Sequence, residues 1–300
     1  MPPDHPAPDA LSAEVLAAVG NAVGQAGGGP FRGARAQSVG GGCISRNFRI
    51  SDPERTYFLK LGRGAGDMFA AEADGLAALA RCDALVVPRV ICQGNAGGED
   101  FLVLEWLELD GSGDEARLGE AVAALHGIAF PRFGWHRDNF IGRTPQTNGW
   151  DEDWPRFFAR RRLLPQLELA AANGAPELRA GADAWLDRLP ELLAGHCLRP
   201  GLVHGDLWSG NRGFVGGRPA LFDPAAYAGD GETDLAMAEL FGGFGPRFFA
   251  AYRGVCLLAA GYGLRRRLYQ LYHLLNHYNL FGGGYRRQAA AAIDGLRHAG

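Results

Sequence analysis

The chain has 300 residues, 47% of them apolar and 21% charged, which suits one large domain or two lobes with ample material for a core. A net charge of −3 gives no basic footprint for nucleic acid, and no apolar run reaches the ~18 residues of a membrane span. The start, MPPDHPAPDA, lacks a basic n-region and apolar core, and the five cysteines (Cys43, Cys82, Cys92, Cys197, Cys256) are scattered without a C-x-x-C pair. The expectation is a cytoplasmic protein with reduced thiols, no disulfide framework and no zinc site.

Leu, Val and Ala at helical spacing predict a helix over 11–25, ending at the glycines 27–29. Two short β-like runs follow, Ala34–Val39 and Asn47–Ile50, around Gly40-Gly41-Gly42-Cys43. Glycines between strands let backbone N–H groups face phosphates, so Gly41, Gly42 and Cys43 are nucleotide-loop candidates. The strand TYFLKL, 56–61, alternates so that Thr56, Phe58 and Lys60 share a face. Asp67–Arg81 reads as a helix with Asp67 as N-cap and Phe69, Leu76 and Leu79 on its apolar side; Glu72, one turn inside, is the candidate partner of Lys60. Val86–Gln93 and Phe101–Leu107 complete a five-stranded antiparallel sheet, and Glu105-Trp106-Leu107 at its end reads as a hinge whose backbone holds an adenine edge.

Beyond residue 110 the character turns helical: Leu118–His126, then 152–173 and 177–195, and later 232–242, 246–259, 263–281 and 285–298. His126 reads as a packed structural residue. Loop 133–150, FGWHRDNFIGRTPQTNGW, is rich in aromatic, amide and charged groups, the composition of a binding loop. The result is an α+β, two-lobe architecture with residues 1–108 as an N-lobe and 109–300 as a mostly helical C-lobe.

The stretch VHGDLWSGNRGFVGGRPALFD, 203–223, carries the chemistry. Asp206 is followed five positions later by Asn211 and, after a hairpin of roughly 212–215 and 219–223, by Asp223. In protein kinases an Asp so placed receives the acceptor hydroxyl proton, and an Asn and a second Asp at these offsets hold magnesium. HGD in place of HRD, and Asp-Pro-Ala in place of Asp-Phe-Gly, point to the small-molecule kinases of that fold. Twenty-nine of the thirty basic residues are Arg, and the one Lys, Lys60, falls where an ammonium on the nucleotide phosphates is needed.

These residues resemble the fructosamine kinases, or ketosamine 3-kinases, within the aminoglycoside phosphotransferase and choline kinase-like group. The likeness spans nearly the whole chain, through GGGCISRNFRI, MFAAEADGL, RDNFIG, HGDLWSGN and YQLYHLLNHYNLFGGGY. It implies Asp206 as base, Asn211 and Asp223 as Mg2+ ligands, Lys60 with Glu72 on the ATP phosphates, and Asp138, Asn139 and Trp208 near the acceptor. Asp234 is expected to cap the next helix and brace the catalytic loop. The implied reaction is ATP-dependent phosphorylation of the 3-hydroxyl of ribulosamine, erythrulosamine or fructosamine adducts of amines and protein lysines, leading to deglycation by a monomer or homodimer. Two departures, Ala228-Gly229-Asp230 for Tyr-Gly-His and Thr147 for Pro, bear on sugar choice. The competing readings are a kinase for another acceptor, such as an aminoglycoside or amino alcohol, and a binding module without catalysis. Cys43, beside the three glycines and near the charges of Arg46 and Lys60, is in addition a candidate redox switch.

Overall fold

The computed structural model describes residues 11–27, 29–31, 35–40 and 45–298. Gly41, Gly42 and Cys43 lie outside them, and with them the nucleotide-loop and redox expectations. The chain divides into two compact units, one holding the residues up to Ala77 with Val87–Glu108, the other Ala78–Val86 with Leu109–Gly300.

The first unit opens with α1 (Ala13–Gly27), then β1 (Arg35–Ser38), β2 (Arg46–Ser51) and β3 (Thr56–Gly62); α2 (Gly66–Leu79) precedes β4 (Val90–Ala96) and β5 (Glu99–Glu105). The strands form one antiparallel sheet in the order β1-β2-β3-β5-β4. Alternation along β3 separates two small cores. Leu59 and Leu61 pack with Val15, Val19 and Val23 of α1, while Leu102 and Leu104 of β5 pack on the other face with Phe69 and Leu76 of α2. Each such fully buried side chain contributes roughly 1.5–3 kcal/mol.

Several boundaries differ from expectation: α1 and β5 are each offset by two residues, and two further differences have a visible cause. Asp67 sits inside the first turn of α2, and the orphan N–H of Gly66 is instead capped by Asp100 Oδ2 at 3.0 Å, from the neighbouring strand. β4 starts at Val90 and not at Val86: Pro88 has no N–H for a ladder, and Val86 bridges to Ala220.

The second unit continues with α3 (Glu115–His126), the short hairpin β6 (Asn139–Ile141) and β7 (Thr144–Gln146), α4 (Trp154–Phe158), α5 (Leu164–Ala172), α6 (Pro176–Leu186) and α7 (Leu189–Leu192). β8 (Gly201–Val203), the hairpin β9 (Arg212–Val215) and β10 (Arg218–Leu221), and β11 (Tyr227–Gly229) follow, then α8 (Glu232–Phe241), α9 (Pro246–Val255), α10 (Tyr262–Phe281) and α11 (Tyr285–Arg297). The α10 stripe of Leu268, Leu271, Tyr272 and Leu275 is buried. α3 lies so close to α9 that a Cβ on Gly119 would come within 2.3 Å of Phe248 O.

The stretch 152–173 is broken by a π-helical turn at Ala159–Leu163, and this turn carries Arg162 into the interior over the rings of Phe157 and Tyr227. α9 ends at Val255, short of 259, because Cys256 adopts an extended backbone. Cys82, Cys92, Cys197 and Cys256 are free thiols, and no helix among the described residues is long and apolar enough to cross a membrane.

Candidate active site

β8 delivers the chain to His204-Gly205-Asp206, and the loop there is fixed by one carboxylate. Asp234, in the first turn of α8, accepts from His204 N at 2.7 Å through Oδ2 and from Gly205 N at 2.9 Å through Oδ1. His126 of α3 holds Asp234 Oδ2 through Nε2 at 3.0 Å and meets the Tyr252 hydroxyl at 2.8 Å through Nδ1. Burial opposes ionisation of Asp234, but the His126 hydrogen bond, with the charges of both histidines, holds its carboxyl below the usual range. Bracing is thus its role and not capping: the N-cap of the helix is Gly231, and the residue before it, Asp230, accepts from Glu232 N at 3.1 Å. Gly205 has φ +82, and a Cβ there would meet Ala225 O at 2.1 Å, so no other residue fits.

Asp206, Asn211 and Asp223 come together. Asn211 ends a 3-10 turn at Ser209–Asn211, and its Nδ2 donates to Asp206 O at 2.9 Å, Asp206 Oδ2 at 3.2 Å and Asp223 O at 3.4 Å. Three oxygens on one side fix the amide's orientation and turn Oδ1 away from them. The hairpin β9–β10, turning on Gly216 and Gly217 at positive φ, brings Asp223 back to Asn211. Burial, with the neighbouring Asp223 carboxylate, pushes the Asp206 carboxyl up to about 7 against the Asn211 hydrogen bond. An amide oxygen and a carboxylate are hard donors suited to Mg2+, so the residues present fit that ion.

In the first unit, Lys60 pairs with Glu72 of α2, Nζ to Oε1 at 2.7 Å, and both side chains are largely buried. Lys60 extends from the same sheet face as Phe58, opposite Leu59 and Leu61. Glu105 ends β5; its N–H donates to Arg89 O at 2.8 Å and its carboxylate accepts from Arg89 Nε at 3.1 Å. Trp106 stacks near Phe58 and lies under the Arg49 guanidinium, and Leu107 is half-buried in the irregular backbone that follows.

Of the acceptor candidates, Trp208 is 40% exposed in the loop after Asp206, where a Cβ on Gly210 would strike its ring at 2.3 Å. Asp138 is exposed and accepts from Asn148 N at 2.7 Å. Asn139 is different: it is 5% exposed, and its carboxamide is taken up by Ala226 O, Gln146 and Asn148.

Comparison with known proteins places this arrangement. A family model described as fructosamine kinase matches residues 16–298. The chain belongs to the fructosamine kinase family. A probable ketoamine kinase of Synechocystis is 44% identical over 296 residues, 96% of this chain and 97% of the relative. The chloroplastic protein-ribulosamine 3-kinase of Arabidopsis thaliana is 39% identical, covering 86% of this chain and 81% of the relative. A crystal structure from Haemophilus somnus assigned to the fructosamine-3-kinases superposes with a TM-score of 0.86 at 30% identity, over 93% of this chain and 97% of that one. An aminoglycoside phosphotransferase in a ternary complex with ADP and hygromycin B, 21% identical with a TM-score of 0.60 over 92% of this chain and 97% of that one, shares the fold. The chain is therefore a kinase of the protein kinase-like fold.

Within this family member, reasoning from sequence missed Gln146 and Asn148. The signal available was the pairing of carboxamides on either side of the Gly142 turn, in NFIGRTPQTN.

Proposed function

We propose that the chain transfers the terminal phosphoryl group of ATP to the 3-hydroxyl of a ketosamine, with ribulosamine, erythrulosamine and fructosamine adducts of amines and of protein lysines as the substrate class. The observation that carries this reading is the cluster of Asp206, Asn211 and Asp223, in which one amide holds the base and the returning loop together. The names of the full-length relatives favour ketosamines over aminoglycosides or amino alcohols as acceptors.

Asp206 accepts the proton of the acceptor hydroxyl as its oxygen bonds to phosphorus and the bond from phosphorus to the ADP oxygen breaks. A carboxyl pushed up to about 7 is suited to this transfer near neutral pH. Asn211 Oδ1 and the Asp223 carboxylate would hold Mg2+, which when bound would neutralise charge on the phosphates. Lys60, kept in place by Glu72, meets the α- and β-phosphates; the backbone at Glu105, Trp106 and Leu107 receives the adenine edge. Trp208 offers a flat apolar face to the acceptor and Asp138 a carboxylate to its amine, whereas Asn139, with its carboxamide already taken up, belongs to the support beneath the loop.

ADP release with ribulosyl-lysine, erythrulosyl-lysine and fructosyl-lysine, beside a panel of aminoglycosides and amino alcohols, tests the reading. Magnesium-dependent turnover with the ketosamines is expected. Turnover confined to aminoglycosides, or none with any acceptor, would overturn it.

A further inference from the structure

Asp223 has φ 57, and it is the non-glycine residue at positive φ among the described residues. A side chain in that region is strained, and such strain persists only where the surroundings over-determine the backbone. On the N-terminal side the restraint is Phe222 N donating to Asn211 O at 3.1 Å. On the C-terminal side Pro224 fixes its own φ, and Ala225 N donates to His204 O at 2.9 Å. Two side chains complete the restraint: Gln146 Nε2 donates to Ala225 O at 3.2 Å, and Asn139 Nδ2 donates to Ala226 O at 2.8 Å.

We infer that Asn139 and Gln146 form a carboxamide clamp, a pair of positioning residues that hold the segment after Asp223 and thereby aim its carboxylate at the metal. This rests on the reading of Asp223 as a Mg2+ ligand. The two residues are cross-strand partners in the β6–β7 hairpin, so one register places both donors. Each is almost fully buried, and each amide is orientated by its neighbours. Asn139 Oδ1 accepts from Gln146 Nε2 at 2.8 Å and from Asn148 Nδ2 at 2.9 Å. Gln146 Oε1 accepts from the Tyr272 hydroxyl at 2.6 Å, and Arg162, on the π-helical turn, donates to Asn148 Oδ1 at 2.8 Å. Flipping Asn139 would set its NH2 against two other NH2 groups and its oxygen against Ala226 O, and flipping Gln146 would set its oxygen against Asn139 Oδ1 and Ala225 O. The clamp therefore keeps the Gln146 amide nitrogen, shared with Asn139 Oδ1, on the carbonyl of Ala225 and that of Asn139 on the carbonyl of Ala226.

The test is Mn2+ binding in the presence of ADP, read from the electron paramagnetic resonance of free Mn2+, on wild type, Gln146→Met and Asp223→Asn, with a thermal melt of each. Gln146→Met keeps the side-chain length and removes the donor. It is expected to bind Mn2+ about tenfold more weakly, to leave the acceptor KM unchanged, and to recover kcat as Mg2+ is raised. A folded Gln146→Met with wild-type Mn2+ affinity overturns the clamp. Should that variant not fold, Tyr272→Phe decides: a two- to threefold loss of Mn2+ affinity is expected, and no loss overturns the inference. If Asp223→Asn itself binds Mn2+ like wild type, the failure lies in the metal-ligand reading and takes the clamp with it.

Discussion

At the scale of single residues, Asp206 and Lys60 give the sharpest expectations. Asp206→Asn keeps the Asn211 contact sterically possible while removing the proton acceptor, so kcat should fall by ~10² or more with ATP binding retained. Near-normal turnover at saturating ATP and acceptor would remove Asp206 from the role of base. Lys60→Arg keeps the charge, but the pocket is built for a compact ammonium 2.7 Å from Glu72 Oε1. A planar fork there displaces Glu72 or the phosphates, so the KM for ATP should rise and turnover should fall. Steady-state kinetics with varied ATP checks this, and unchanged constants would make Lys60 an ordinary strand residue. These positions were legible in the sequence because their chemistry is written in local spacing. The family resemblance puts Asn139 near the acceptor; a carboxamide's identity shows in sequence, but whether its hydrogen bonds are taken up inside the protein depends on residues such as Ala226 and Asn148 that only the fold brings to it.

At the scale of elements, the strands and long helices were readable where burial has a clean period. β3 alternates and α10 repeats its apolar stripe, so one-dimensional pattern and three-dimensional face coincide. The π-helical turn at Ala159–Leu163 was not readable, since the partners that Arg162 meets from it, Tyr227 and Asn148, are distant in sequence. The entrance to α8 offers a pH test. His196, on the segment leading to β8, meets Asp230 Oδ2 at 2.9 Å and lies 3.8 Å from Glu232 Oε1. Tyr269 donates to the same Asp230 oxygen at 2.6 Å, and Arg265 pairs with Glu232. A metal ion is not needed here, because Arg265 already supplies a cation. Burial disfavours the imidazolium, but the Asp230 hydrogen bond and the two carboxylates outweigh it and raise the His196 pKa. A raised pKa stabilises the fold fully below the unfolded value of about 6.5, and that share is lost as pH rises through the folded value. The Tm advantage of wild type over His196→Gln should therefore shrink between about pH 5.5 and about pH 8. A difference that does not change with pH would mean that His196 is held neutral.

At the scale of the whole molecule, the family match runs through both units, over residues 16–298. The expected product is a 3-phosphate, formed faster from ribulosamines or erythrulosamines than from fructosamines. Phosphorus NMR of products from the three lysine adducts checks both halves; phosphate on another oxygen would exclude the assigned regiochemistry.

A protein proposed to repair sugar-damaged amines is itself exposed to reducing sugars. Its defence is compositional and structural at once. Among 300 residues the side chains offer one primary amine, and that amine is 6% exposed and hydrogen-bonded to Glu72. Attack on a sugar carbonyl needs an accessible nitrogen, and burial against Glu72 withholds that access. Prolonged incubation with ribose, followed by peptide mass spectrometry, should leave Lys60 unmodified in the folded protein and modify it once Glu72→Gln opens the pair. The catalyst would then never become its own substrate at the residue on which its activity depends.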